Sequence, residues 1–195
     1  MHRPVLLREC IDGLGVAAKP AGLFVDGTFG RGGHSAAILG GLSADGRLHA
    51  FDHDPEAEAE ALRRFAAEPR LRFHAANFSA MADIARAEGW HGCVDGLLLD
   101  LGVSSPQLDD AARGFSFSHD GPLDMRMNPR AGVSAAEWLA GVDAETLADV
   151  LYQYGDERNS RRIAQRIVES RVTTPLTRTA QLAELIASVP GPRSK

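Results

Sequence analysis

An α/β fold built on a parallel sheet, followed by a mostly helical part, is what this 195-residue sequence predicts. Three observations carry the prediction. Short apolar runs alternate with helical segments through the first half of the chain. A glycine-rich turn joins the first of those runs to the first helical segment. After about Gln107 the strand-like runs stop and amphipathic segments take over.

The elements follow in order. Gly22 to Asp26 reads as a short buried strand ending in an acid, and His34 to Leu39 as a helix stopped by Gly40 and Gly41. Arg47 to Asp52 is a second strand. Asp54 and Pro55 open the next helix in the favoured order, acidic N-cap and then proline at the first helical position. It runs through Arg64 and stops near Pro69. Leu71 to Ala75 is a third strand. Ser79 caps a helix to Glu88, which Gly89 ends. Val94 to Asp100 is a fourth strand, apolar enough to be buried on both faces. Strand and helix alternating at this spacing mean parallel βαβ units.

Residues 108–133, rich in Asp, Gly and Pro without a clear period, read as an ordered loop. Ser134 to Glu137 is a capping box. Asp143 caps a helix to Tyr154, closed by Gly155. Asp156 to Arg171 reads as a helix with Ile163, Ile167 and Val168 on one apolar stripe. Thr179 to Ser188 is a last short helix, ended by Pro190. The chain thus divides into an α/β part, 1–108, and a mostly helical part, 109–195.

Composition bounds the function. Cys10 and Cys93 lack CxxC spacing, so free thiols in a reducing compartment are expected rather than a disulfide framework. No run approaches 18 apolar residues and no signal-peptide pattern opens the chain, so a cytoplasmic protein without a membrane span is expected. The net charge of −5 argues against nucleic acid as a partner. Its distribution argues the other way at one end, because residues 156–195 hold 8 basic and 4 acidic side chains and could face phosphate.

The chemistry concentrates at Asp26-Gly27-Thr28-Phe29-Gly30-Arg31-Gly32-Gly33-His34, between a strand and a helix. Glycines there let the backbone turn tightly and approach a ligand, and helix N-terminal N–H groups point into the site. The spacing departs from the dinucleotide fingerprint. An acid closing the strand suits a ligand whose ammonium group needs acceptors. Asp52, at the end of the second strand, can accept from both ribose hydroxyls. Phe78 follows the third strand and can pack on adenine; Asp100 follows the fourth. All four features lie at carboxyl ends of parallel strands, where open α/β sheets bind ligands. Together they suit a cationic nucleoside such as S-adenosylmethionine. Taken singly each has a plainer reading, as turn, helix cap, core aromatic or strand-end acid.

Long strings here resemble one family. Val25 to Ser35, Asp100 to Asp109, Arg113 to Phe117, Asp120 to Met127, His2 to Glu9 and Tyr154 to Arg158 are similar to the ribosomal-RNA small-subunit methyltransferase H family, also called MraW. The resemblance covers nearly the whole chain. It implies a Rossmann-like class I methyltransferase core with a helical inserted domain that helps recognise substrate. It implies methyl transfer from S-adenosyl-L-methionine to N4 of a cytidine in small-subunit ribosomal RNA, with that RNA or the small ribosomal subunit as partner. The implied cofactor contacts are Gly32, Gly33, His34, Asp52, Phe78, Asp100 and Gln107, with no metal. Members of the family are longer. They complete the sheet after the insertion and carry a late His-Ser-Leu-Glu-type segment. The sequence is therefore expected to be the N-terminal two thirds of such a chain, with later strands missing and the fourth strand left with an unpaired apolar edge.

For catalysis, Asp100 is the candidate acceptor of a hydrogen bond from the cytosine amine, with the backbone carbonyls of Gly102 to Ser105 as the alternative. A cysteine nucleophile at cytosine carbon-5 is disfavoured, since neither cysteine stands in a Pro-Cys setting. Arg158, Arg162 and Arg166, at i, i+4 and i+8, form either a phosphate-contacting stripe or a solvated face paired with nearby acids. Two rival functions stand beside the main one: a non-catalytic RNA-binding or ribosome-assembly module, and an NAD-dependent oxidoreductase.

Overall fold

Parallel pairing is dictated by the connections, since each of the first three strands is followed by a helix that returns the chain to the same end of the sheet. The computed structural model describes residues 4–191. It divides into two compact units, Met1–Gly102 and Val103–Lys195. The first contains α1 (Leu7–Leu14), β1 (Leu23–Asp26), α2 (Gly33–Gly41), β2 (Arg47–Asp52), α3 (Pro55–Phe65), β3 (Leu71–Ala75), α4 (Met81–Ala87) and β4 (Gly96–Leu98). The four strands form one parallel sheet in the order β3-β2-β1-β4. The chain winds outward from β1 through β2 to β3 and then crosses to the other side of β1. The reversal point of this Rossmann-like arrangement therefore lies between β1 and β4.

Alternation along the strands sorts the core into two layers. Phe24 and Leu48 face Ile38, Leu39 and Leu42 in and after α2. Ala50 faces Ala57 and Ala61 of α3, with Phe29 completing that cluster. On the opposite face Val25 and Phe51 pack on Ala85 of α4 and on Trp90. Each fully buried Phe, Leu or Ile contributes about 1.5–3 kcal/mol. Gly96 in β4 is fixed by this packing. A Cβ there would stand 2.9 Å from both Leu14 and the Phe24 ring.

Several boundaries differ from expectation. Gly40 and Gly41 form the last turn of α2 instead of stopping it; the chain leaves the helix at Leu42, which is extended. Asn77, not Ser79, is the cap after β3: its side chain accepts from the Ser79 N–H, starting a 3-10 turn that runs into α4. Helix α1 was not foreseen; its N-cap Leu6 is left-handed and makes no side-chain cap bond, so no cap residue announces it. Strand β4 lies at the sheet edge with Leu97 and Leu99 exposed, not buried on both faces.

The second unit contains α5 (Ser105–Asp109), α6 (Ala135–Gly141), α7 (Ala144–Gln153), α8 (Ser160–Ser170) and α9 (Thr179–Ala187). Leu139, Leu147, Ala148, Ile163, Ala164 and Ile167 form its core with Leu123 and Leu176. Both expected caps are present: Ser134 and Glu137 close a reciprocal box, and Asp143 accepts from Thr146. The segment 108–133 is held by specific ties. Leu123 N–H donates to Thr177 O, and Arg126 pairs with Asp124 at 2.6 Å. The helix expected from Asp156 begins only at Ser160, because Asp156 adopts a left-handed backbone with φ 50°. Arg158 therefore lies outside α8, and the three-arginine helical stripe reduces to Arg162 and Arg166.

Candidate functional site

The turn after β1 is pinned from both sides. Gly27 N–H donates to Leu98 O of β4 at 2.9 Å, and Phe29 N–H to Phe51 O of β2 at 2.9 Å. Gly30 N–H donates to Asp52 Oδ2 at 2.8 Å. Asp100 N–H donates to Thr28 Oγ1 at 2.7 Å. The glycine turn is thereby fixed at the carboxyl edge of the sheet, beside the reversal point.

Asp26 organises this turn from inside. It is fully buried; Ser35 Oγ donates to its Oδ2 at 2.6 Å and Thr28 N–H to its Oδ1 at 3.1 Å. Burial pushes its carboxyl above the ordinary carboxylate range, against the lowering effect of these bonds. At 0% exposure Asp26 shapes the loop from inside, whereas its strand-end position suggested a direct acceptor for a ligand's ammonium group.

Each expected site residue in the first unit has a definite place. Gly32, at φ 69°, is the N-cap of α2; a Cβ on it would lie 2.7 Å from the Phe29 ring and 2.8 Å from the Phe65 ring. Gly33 opens α2, and a Cβ there would lie 2.3 Å from Pro4. His34 is buried, with Nε2 3.1 Å from Val5 O. A carbonyl only accepts, so Nε2 carries the proton. Its Nδ1 stands 3.8 Å from Asp100 Oδ2, which links the turn to the end of β4. Asp52 accepts from Gly30 N–H and, at 2.9 Å, from Asp54 N–H. Phe78 follows β3 and is exposed, and the Asp100 side chain is 52% exposed.

These residues sit at four strand ends in the spatial order of the sheet. Gln107 belongs to the second unit, where its Oε1 accepts from Ser104 N–H as the capping partner of α5. The Ser104 carbonyl, one alternative to Asp100, is taken by Leu108 N–H. Thr28 and Gly30 are site-building residues that sequence reasoning did not single out. Only their membership in the glycine string signalled them.

Among the described residues no helix is long and apolar enough to cross a membrane. In the second unit, Arg161, Arg162, Gln165, Arg166 and Glu169 of α8 line a groove with Ser188, Val189 and Pro190. Among the described residues none of these arginines makes an ion pair; Arg162 instead donates to Gly191 O at 3.4 Å.

Similar sequences occur among known proteins. The sequence is 58% identical over 186 residues to the ribosomal RNA small subunit methyltransferase H of Thioalkalivibrio sulfidiphilus, covering 95% of this chain and 59% of that protein. It is 54% identical over 185 residues to the protein of the same name from Pseudoalteromonas atlantica, covering 95% and 58%. With the one from Xanthomonas axonopodis pv. citri it shares 54% over 188 residues, covering 96% and 53%. The chain thus spans little more than half the length of these relatives. Residues 1–195 match the profile of the MraW methylase family from end to end, and the chain belongs to that family.

Proposed function

We propose that the first unit binds S-adenosyl-L-methionine, and that the chain is part of a methyltransferase acting on N4 of a cytidine in small-subunit ribosomal RNA. The relatives, named ribosomal RNA small subunit methyltransferase H, support methyl transfer and a ribosomal RNA substrate, while N4 of a cytidine is what the family resemblance implies. The observation that carries the cofactor is the carboxyl edge. There the glycine turn, Asp52, Phe78 and Asp100 line four adjacent strand ends.

The residues fit that cofactor. A Cβ on Gly30 would meet nothing closer than 4.0 Å, so the backbone at that point of the turn is open to a ligand. Each Asp52 oxygen accepts one backbone N–H and keeps a second acceptor site for a ribose hydroxyl. Phe78 offers an exposed ring for adenine. Gly32 and Gly33 bring the start of α2 close to the methionine portion, and His34 backs that turn. Gln107 enters the proposal from the family resemblance.

S-adenosylmethionine supplies an electrophilic methyl carbon on a sulfonium. The chain's part is to hold the amine in line, since orientation supplies much of the acceleration. Asp100 is the acceptor for the amine N–H: its backbone is fixed by Thr28 and its carboxylate faces solvent. Drawing density toward the nitrogen restores the lone-pair character that the ring withdraws. The second unit recognises RNA, with the groove beside Arg162 and Arg166 contacting phosphate.

Isothermal titration of S-adenosylmethionine and of NAD into the folded chain tests the reading. Saturable binding of S-adenosylmethionine alone supports it. NAD binding would favour the oxidoreductase. RNA binding without either cofactor would favour a non-catalytic assembly module.

A further inference from the structure

On the α4 side of the sheet three donor atoms converge. His49 of β2 and His74 of β3 place Nδ1 and Nε2 2.9 Å apart. Glu88, the C-cap residue of α4, places Oε2 3.8 Å from His49 Nδ1 and 3.9 Å from His74 Nε2. The two imidazoles are about nine-tenths buried, whereas the Glu88 side chain is 23% exposed and opens the cluster to solvent.

From this triangle we infer a binding site for a zinc-type divalent transition metal, with His49, His74 and Glu88 as ligands and a fourth position open to water. Metal–ligand bonds of about 2.0–2.1 Å in a tetrahedron separate neighbouring ligand atoms by roughly 3.4 Å. The three measured separations bracket that value. Adjustments of about half an ångström would seat the ion. Two imidazole nitrogens and one carboxylate suit zinc or cobalt. Calcium and magnesium prefer all-oxygen shells.

The surroundings hold the ligands in place. The His74 ring lies nearly parallel to those of His49 and Phe51, with centroids 5.2 and 4.5 Å away, and His49 packs on Trp90 at 4.3 Å. Arg72 binds Glu88 Oε1 at 2.7 Å, which turns the other oxygen toward the imidazoles, and Trp90 Nε1–H donates to Oε2 at 3.1 Å. Orienting contacts of this kind are usual around metal ligands. Across the 2.9 Å contact one ring nitrogen donates and the other accepts, so the pair shares one proton there. The ion replaces the proton shared between the two rings. His49 then carries its proton on Nε2 and His74 on Nδ1, and no net proton is released.

The site joins β2, β3 and α4 and is independent of the cofactor reading. Its effect falls on stability rather than on the cofactor edge. Cobalt(II) titration of the chelator-treated chain is the test, with Cys10 and Cys93 both replaced by serine to remove thiolate ligation. One equivalent giving the intense visible bands of four-coordinate cobalt, displaced by zinc, is the expected result. Glu88→Gln keeps the helix end and the Trp90 contact and weakens binding at least about tenfold. His74→Gln abolishes the bands while circular dichroism shows the fold retained. Weak six-coordinate spectra, or affinity unchanged in Glu88→Gln, overturns the assignment. If His74→Gln fails to fold, the Glu88→Gln result decides alone.

Discussion

Replacing Gly32 by alanine separates two costs that the glycine turn avoids. The backbone there has φ 69°, a conformation that costs an L-residue about 1–2 kcal/mol. The new Cβ would also lie 2.7 Å from the Phe29 ring and 2.8 Å from the Phe65 ring. Those rings meet edge to face at 5.8 Å and have little room to shift, which adds about 1–3 kcal/mol of overpacking. The sum is about 2–5 kcal/mol. Gly30→Ala is the control: φ is 54°, but the nearest atom to its Cβ is 4.0 Å away, so only the backbone cost of about 1–2 kcal/mol applies. Trp90 is buried in the first unit and reports its unfolding by fluorescence once Trp138 is changed to phenylalanine. With a urea slope of about 1–1.5 kcal/mol/M, Gly32→Ala lowers the midpoint by roughly 1.3–5 M and Gly30→Ala by roughly 0.7–2 M. Equal losses in the two variants would refute the packing argument.

Strand β4 presents an unpaired edge beside the exposed Leu97, Leu99 and Leu101. The chain should self-associate with rising concentration, and Leu97→Lys should shift sedimentation toward monomer; an unchanged profile would remove β4 from the contact. In α7, Asp143 accepts from Thr146 N–H at 2.8 Å and from its hydroxyl at 2.7 Å, and these bonds hold its carboxyl below the usual 3.8. The cap's contribution is present above the unfolded value and is lost as pH falls through the lower folded one. Amide protection at Thr146 should therefore fall in acid below about pH 4 in the native chain and lose that pH dependence in Asp143→Asn. Exchanging Arg162 and Arg166 for glutamine should flatten the salt dependence of single-stranded RNA binding, by about 0.7 in log–log slope per lost phosphate contact. An unchanged slope would make α8 a solvated face.

What the sequence revealed follows the range of the forces involved. The four strands were legible because their apolar runs are short and bounded. The caps at Asp54, Ser134 and Asp143 were legible because capping is a contact over two or three residues. Helix α1 was not, since Leu6 offers no cap side chain. The premature start read at Asp156 arose because the apolar stripe says nothing about a left-handed residue four positions upstream of Ser160. At the site, the glycines and Asp52 were visible as a string and a strand end. The inward turn of Asp26 and the anchoring of Asp100 by Thr28 depend on strand order, which spacing alone does not specify. The meeting of His49 and His74 likewise depends on register: His74 stands opposite Phe51, one diagonal step from His49.

The central claim is that the carboxyl edge of this sheet is the cofactor site. Amide shift mapping on addition of S-adenosylmethionine tests it most directly. The account predicts saturable shifts at Gly30, Gly32, Gly33, Asp52, Phe78 and Asp100, and their loss in Asp52→Ala with the fold retained. A folded chain whose amides stay unmoved there, or move instead along the outer face of α3, would contradict it.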